Sequence, residues 1–152
     1  MKTHVHLAIA LALVALSPLV GLAQTDAPPD PEEVAVRAAV DHYLRGHATG
    51  EGAHHAEVFH PVADLYWIRG DTLNSRSSAE YIANAPGEPA ADEDRRSRWI
   101  EMVDVTGSAA VAKIVLDYPR ARIVDYMALL KIDGEWKIVN KIFDVAPSSE
   151  GR

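Results

Sequence analysis

The stretch Asp125 to Asp144, DYMALLKIDGEWKIVNKIFD, leaves few folds open to the chain that contains it. Two runs of mixed apolar and polar residues flank Asp133-Gly134, a dipeptide suited to the two-residue turn of a tight β-hairpin. That turn sets Ile132 opposite Glu135 and fixes each later pair. One face then carries Asp125, Met127, Leu129 and Lys131 across from Ile142, Asn140, Ile138 and Trp136. The other carries Tyr126, Ala128, Leu130 and Ile132 against Lys141, Val139, Lys137 and Glu135. The first face is the more apolar inland and holds the tryptophan, so it is assigned to the interior. A slip of one residue would exchange the faces of one strand. In this register Asp125 and Asn140 both point inward. A buried carboxylate needs a partner, because leaving it unpaired costs several kcal/mol or shifts its pKa. An arginine, a tyrosine hydroxyl, water or a ligand would satisfy it, and two readings remain open: a structural ion pair with Arg98 or Arg122, or a pocket in which Asp125 and Asn140 meet a ligand.

The start of the chain reads as a leader. Lys2 precedes an apolar run from Leu7 to Leu16, Pro18 breaks it, and small residues follow at Gly21 and Ala23. This is the layout of a signal peptide over 1–23, and the run is short for a membrane span. The expectation is an exported protein, periplasmic or secreted, with no membrane segment once the leader is cleaved. All 22 acidic residues, and every one of the 15 basic residues except Lys2, follow Ala23, which leaves the mature chain at about −8. An acidic chain without a basic block is a poor nucleic-acid binder, since phosphate neutralisation needs clustered Lys and Arg. The absence of cysteine excludes a disulfide-stapled scaffold and thiol catalysis.

Residues 24–30, with two adjacent prolines, form a linker. Asp30-Pro31 then caps a helix whose first turn holds Glu32 and Glu33 and whose apolar residues recur at helical spacing to about Ala48. AHHAEVFH gives a second short helix ended by Pro61. A strand with a turn at Gly70-Asp71 follows, then a third helix capped by Ser77 with Glu80 three residues on. The remainder reads as antiparallel strands, with breaks at Thr106-Gly107 and Pro119. Helices first and strands later make an α+β domain over 31–146, with a frayed tail at 147–152.

The segments VDHYLRGHATGE, FHPVADLYWIRGDTL, SSAEYI, VTGSAAVAKI and VDYMALLKIDGEWKIVNKIF together resemble the putative lumazine-binding family. That family lies in the nuclear transport factor 2-like superfamily, alongside ketosteroid isomerase and polyketide cyclases. The resemblance runs from about Val34 to Phe143. It implies a cone-shaped barrel in which a curved antiparallel sheet wraps a long N-terminal helix and leaves a pocket at the open end. It also implies a homodimer formed through the outer sheet face around Tyr126, Leu130 and Val139. In the isomerases a helix tyrosine polarises the substrate carbonyl, and Tyr43 stands at the matching place. Their catalytic base falls on Trp67 here, and an indole cannot abstract a proton.

The candidate ligand-binding residues are therefore Tyr43, Trp67, Arg98, Asp125, Met127 and Asn140, around a small aromatic or heterocyclic molecule. If the protein is an enzyme, Asp125 serves as general acid or base and Tyr43 as hydrogen-bond donor in a cofactor-independent lyase, isomerase or cyclase. A third alternative is a dimerising structural module with no ligand. Nothing in the sequence calls for a cofactor. Five histidines lie between His42 and His60, but no His-Glu-x-x-His or comparable spacing marks a metal site.

Overall fold

A computed structural model describes residues 28–148. The expected leader 1–23, most of the expected linker and most of the expected tail lie outside the described residues. Helix α1 spans Pro31–Thr49. It starts as the sequence implies, with the Asp30 carboxylate accepting from the Glu32 amide at 2.9 Å and Pro31 inside the first turn. Helix α2 covers Gly52–Val58 and α3 covers Ser78–Ala83, the latter with both halves of the Ser77–Glu80 capping box in place. The strands are β1 Phe59–Arg69, β2 Thr72–Ser77, β3 Ser97–Thr106, β4 Ala109–Tyr118, β5 Ala121–Ile132 and β6 Glu135–Pro147. Among the described residues no helix is long and apolar enough to cross a membrane.

Helix α2 stops at Val58, earlier than the proline implied, and Pro61 lies within β1. The ladder to β6 is irregular there, between Phe59 and Asp64, which accommodates a residue that has no amide to donate. The sheet order is β2-β1-β6-β5-β4-β3. Neighbouring pairs are antiparallel except β1 and β6, which run parallel. This pairing departs from the all-antiparallel expectation. It arises because β6 enters between β1 and β5, far from β1 in sequence. The result is a curved, unclosed six-stranded sheet, the cone of the expected α+β fold.

Val36, Val40 and Tyr43 recur along one side of α1 and are fully buried. They pack into one core with Ala112, Ile114, Leu116, Met127, Leu129 and Ile138 from the concave face of the sheet. The start of α1 is tied to the β5–β6 hairpin through Glu32. That carboxylate accepts from Lys131 Nζ at 2.6 Å and from the Trp136 indole at 3.0 Å. Asp133 and Gly134 both have positive φ, 51° and 86°, as the turn between those strands requires.

Helices α1 and α2 meet where Gly46 lies under the His55 ring. A Cβ at Gly46 would stand 2.4 Å from His55 Cε1. Replacing a helical glycine by alanine ordinarily stabilises by about 1 kcal/mol. Here the sign reverses: Gly46→Ala is expected to lower stability by about 1–3 kcal/mol through overpacking, read as a fall in the urea midpoint. His55 is 4% exposed, and burial, followed by repulsion from Lys141, depresses its pKa from 6.5 to about 4. Below pH 6.5 the unfolded chain binds a proton that the native ring refuses, so stability falls as pH drops from 6.5 towards 4. The loss expected from this ring is up to about 3 kcal/mol. Urea midpoints at pH 7 and pH 4.5 register it together with a loss of the same sign from buried His47, and His55→Gln should reduce the difference.

Candidate functional site

The hairpin begins in the register its turn dictates: Ile132 opposite Glu135, Lys131 opposite Trp136, Leu129 opposite Ile138. Between Ala128 and Leu129 the pairing shifts by one, and the next partners are Ala128–Asn140, Met127–Lys141 and Asp125–Phe143. Val139 is the extra residue of a β-bulge in β6. The bulge reverses which side chains face inward beyond it. Ile138 and Trp136 remain inside, but Lys141 and Phe143 take the interior positions assigned to Asn140 and Ile142. Asn140 is thereby corrected to the outer side, where its amide nitrogen donates to the Asp64 carbonyl at 3.4 Å. Ile142 is half exposed.

Asp125 is inside as expected and has no exposure to solvent. Its partner is neither Arg98 nor Arg122. Lys141 Nζ donates to Asp125 Oδ1 at 3.0 Å and to the Tyr43 hydroxyl at 2.8 Å. Tyr43 in turn donates to Asp125 Oδ2 at 2.6 Å. The three polar groups form a closed triangle, and each lies almost wholly out of water. The Lys141 ammonium is also near the faces of Phe143, Tyr43 and Tyr81, at 4.6, 5.1 and 5.3 Å from the ring centres. Burial lowers the Lys141 pKa, and Asp125 opposes that shift. Burial and the neighbouring Asp125 charge push the Tyr43 phenol well above its usual value, so it stays protonated and able to donate.

The rings of His47 and Tyr81 pack directly against the triangle. The His47 nitrogens lie 2.9 Å from the Tyr81 hydroxyl and 3.3 Å from the Tyr118 hydroxyl. Burial, then Lys141, hold the His47 pKa well below its ordinary value, so the ring is neutral and one nitrogen donates while the other accepts. Arg98, expected at the pocket, instead holds Glu93 with two hydrogen bonds of 2.5 and 2.9 Å. Arg122 pairs with Asp117.

Above the triangle opens a cavity of about 520 Å³, lined by Leu65, Trp67, Ile68, Arg69, Gly70, Arg76, Tyr81, Lys141, Phe143 and Val145. This is the size of a small-molecule site. Because β1 and β6 are parallel and level, Leu65 lies beside Lys141 and Trp67 beside Phe143. The Trp67 and Phe143 rings stack at 5.2 Å, and the Arg76 guanidinium lies 5.8 Å from the Trp67 ring centre. Of the expected ligand residues, Trp67 lines the cavity. Tyr43 and Asp125 lie beneath it, reaching it through Lys141, and Met127 is core. Arg98 and Asn140 are not in the lining. The lining contains three cations and no carboxylate, in a chain of net charge −7. Lys141, Arg69, Arg76, Tyr81 and Phe143 were not singled out by the sequence. Strict alternation from the turn turns Lys141 and Phe143 outward, and only a bulge at Val139 brings them in.

Residues 31–144 match the family described as putative lumazine-binding. The chain is 25% identical over 118 residues to aldolase FrzH of Cladobotryum sp., an alignment covering 74% of this chain and 90% of that one. Among solved structures, a nuclear transport factor 2-like protein of unknown function from Shewanella baltica OS155 superposes with a TM-score of 0.69 at 24% identity. That match covers 77% of this chain and 95% of the other. A ketosteroid isomerase-like protein from Erwinia carotovora atroseptica gives 0.60 at 12% identity, covering 78% and 99%. These likenesses report the shared fold. The match over 31–144 and the cone of helix and sheet together make this chain a member of the putative lumazine-binding family, in the nuclear transport factor 2-like superfamily.

Proposed function

We propose that the protein binds a small planar organic molecule that carries a carbonyl at one end and an anionic group at the other. The observation that carries this reading is the cavity lining, with its stacked Trp67 and Phe143, its two arginines and Lys141, and no acid. The Lys141 charge is balanced by Asp125, whereas Arg69 and Arg76 have no ion-pair partner among the described residues. An anion would pair the arginines, and a carbonyl oxygen would accept from the N–H of Lys141 that is left free by Asp125 and Tyr43. Heterocycles of the lumazine kind and aromatic keto acids both have the required flat face and carbonyl.

A second reading is catalytic: cofactor-independent chemistry on a carbonyl compound. The triangle of Tyr43, Asp125 and Lys141 supports it, since protons can pass among three groups within hydrogen-bond reach. So does the likeness to an aldolase. In this reading Lys141 faces the ligand, and Asp125 and Tyr43 act through it.

A thermal-shift and tryptophan-fluorescence titration tests the binding reading. Aromatic and heterocyclic acids bearing a carbonyl are expected to raise Tm, and their neutral amides to do so far less. Arg76→Ala should weaken the acids about tenfold, the order of one charge-assisted hydrogen bond, and Arg122→Ala should leave them unchanged. Equal binding of acids and amides would remove the anionic requirement.

The leader-like segment 1–23 supports an exported setting. The half-exposed Tyr126, Leu130 and Ile142 on the outer sheet face support a homodimer through that face. Expression of the full chain in a bacterial host checks both. The mature mass is expected to begin at Gln24 in the periplasmic or culture fraction, and sedimentation to give twice that mass, reduced to the monomer by Leu130→Asp.

A further inference from the structure

We propose that Lys141 is a nucleophile, and that its amine condenses with the carbonyl of the bound ligand to form an iminium. This rests on the reading that a carbonyl compound occupies the cavity. The four lysines among the described residues differ in kind. Lys113, Lys131 and Lys137 sit near the surface, paired with Glu101, Glu32 and Glu135. Lys141 is 3% exposed, yet it forms part of the cavity lining. A buried ion pair is weak evidence for stability, because apolar side chains of similar volume often serve as well or better. The bulge at Val139 nevertheless turns a lysine inward, against an acid, at the floor of a cavity.

The geometry supplies what condensation needs. Lys141 passes one proton to Asp125 Oδ1, 3.0 Å away, and becomes a neutral amine. Its lone pair attacks the carbonyl carbon, forming the C–N bond as the carbonyl π pair moves to oxygen. Proton transfer from the nitrogen to that oxygen, relayed by the Tyr43 hydroxyl at 2.8 Å, gives the neutral carbinolamine. The proton held by Asp125 then passes to the carbinolamine hydroxyl, directly or by way of Tyr43 at 2.6 Å. The C–O bond breaks, water leaves, and an iminium remains. Asp125 ends as it began, a carboxylate beside one positive nitrogen. No oxidant, reductant or cofactor enters the balance. Burial lowers the Lys141 pKa, which raises the share of neutral amine, and the aromatic walls limit access of water to the product. The iminium draws electrons from the adjacent carbon, the activation required for making or breaking a carbon–carbon bond there.

The test uses the wild-type protein with phenylpyruvate and sodium cyanoborohydride at pH 7, followed by intact mass and peptide mapping. Reduction should fix one adduct on Lys141, at least about tenfold faster than on Lys113, Lys131 or Lys137. Lys141→Arg should abolish that adduct, and tryptophan quenching by phenylpyruvate is read on the wild-type chain. Quenching without a Lys141 adduct overturns the iminium and leaves the binding reading standing. Neither quenching nor adduct overturns both. Labelling spread evenly over the four lysines also overturns it. Because the comparison among lysines is made within the wild-type chain, it holds even if Lys141→Arg does not fold.

Discussion

Removing two opposite charges from water costs several kcal/mol per ion, and their attraction restores this only when geometry and extra hydrogen bonds are good. The contact between Lys141 and Asp125 meets those conditions. Each makes a direct bond to the other and a second bond to Tyr43, so no member of the set is left unpaired. The surrounding structure is arranged to keep it so. Helix α1 delivers Tyr43 through the same buried side that carries Val36 and Val40. Strand β5 delivers Asp125 from the wall facing it. Strand β6 delivers Lys141 only because one residue has been added to its ladder. Removing any one of the three would expose the others to an unmet polar demand, so helix and sheet are held to a single relative placement.

Much of this was legible in the chain. The Asp30 cap, the Ser77–Glu80 box, the Asp133-Gly134 turn and the helical recurrence of Val36, Val40 and Tyr43 are local signals, and each appears where local chemistry puts it. The buried carboxylate was legible too, as an acid on the apolar side of a core hairpin. What the sequence hid is non-local. A two-residue period has no marker for an inserted residue, and Val139 resembles any other strand valine. The same shift that sent Asn140 outward brought in the lysine that answers Asp125. The parallel joining of β1 to β6 was hidden for the same reason: it links segments separated by most of the domain.

The histidines show how a sequence cluster and a spatial cluster differ. His42, His47, His54, His55 and His60 crowd together in the chain, and of these His47 and His55 pack against Tyr43 beside the triangle. There both rings pack against Tyr43 and Tyr81, and His47 also hydrogen-bonds the Tyr81 and Tyr118 hydroxyls. Their burial keeps both neutral, which spares the cavity two further positive charges beside Lys141. The cationic character of the cavity therefore comes from Lys141 and the two arginines near it. Arg69 belongs to β1 and Arg76 to β2, on either side of the Gly70-Asp71 turn.

The insertion of the last strand between β1 and β5 has a consequence for assembly. Until residues 135–147 have joined the sheet, β1 and β5 each present an open edge, and the hollow lacks both its amine and one of its stacked rings. A nascent chain stopped short of this strand has two half-sheets and no cavity with this lining. Completion of the fold and completion of the chamber are thus one topological event, and it belongs to the final segment of the domain.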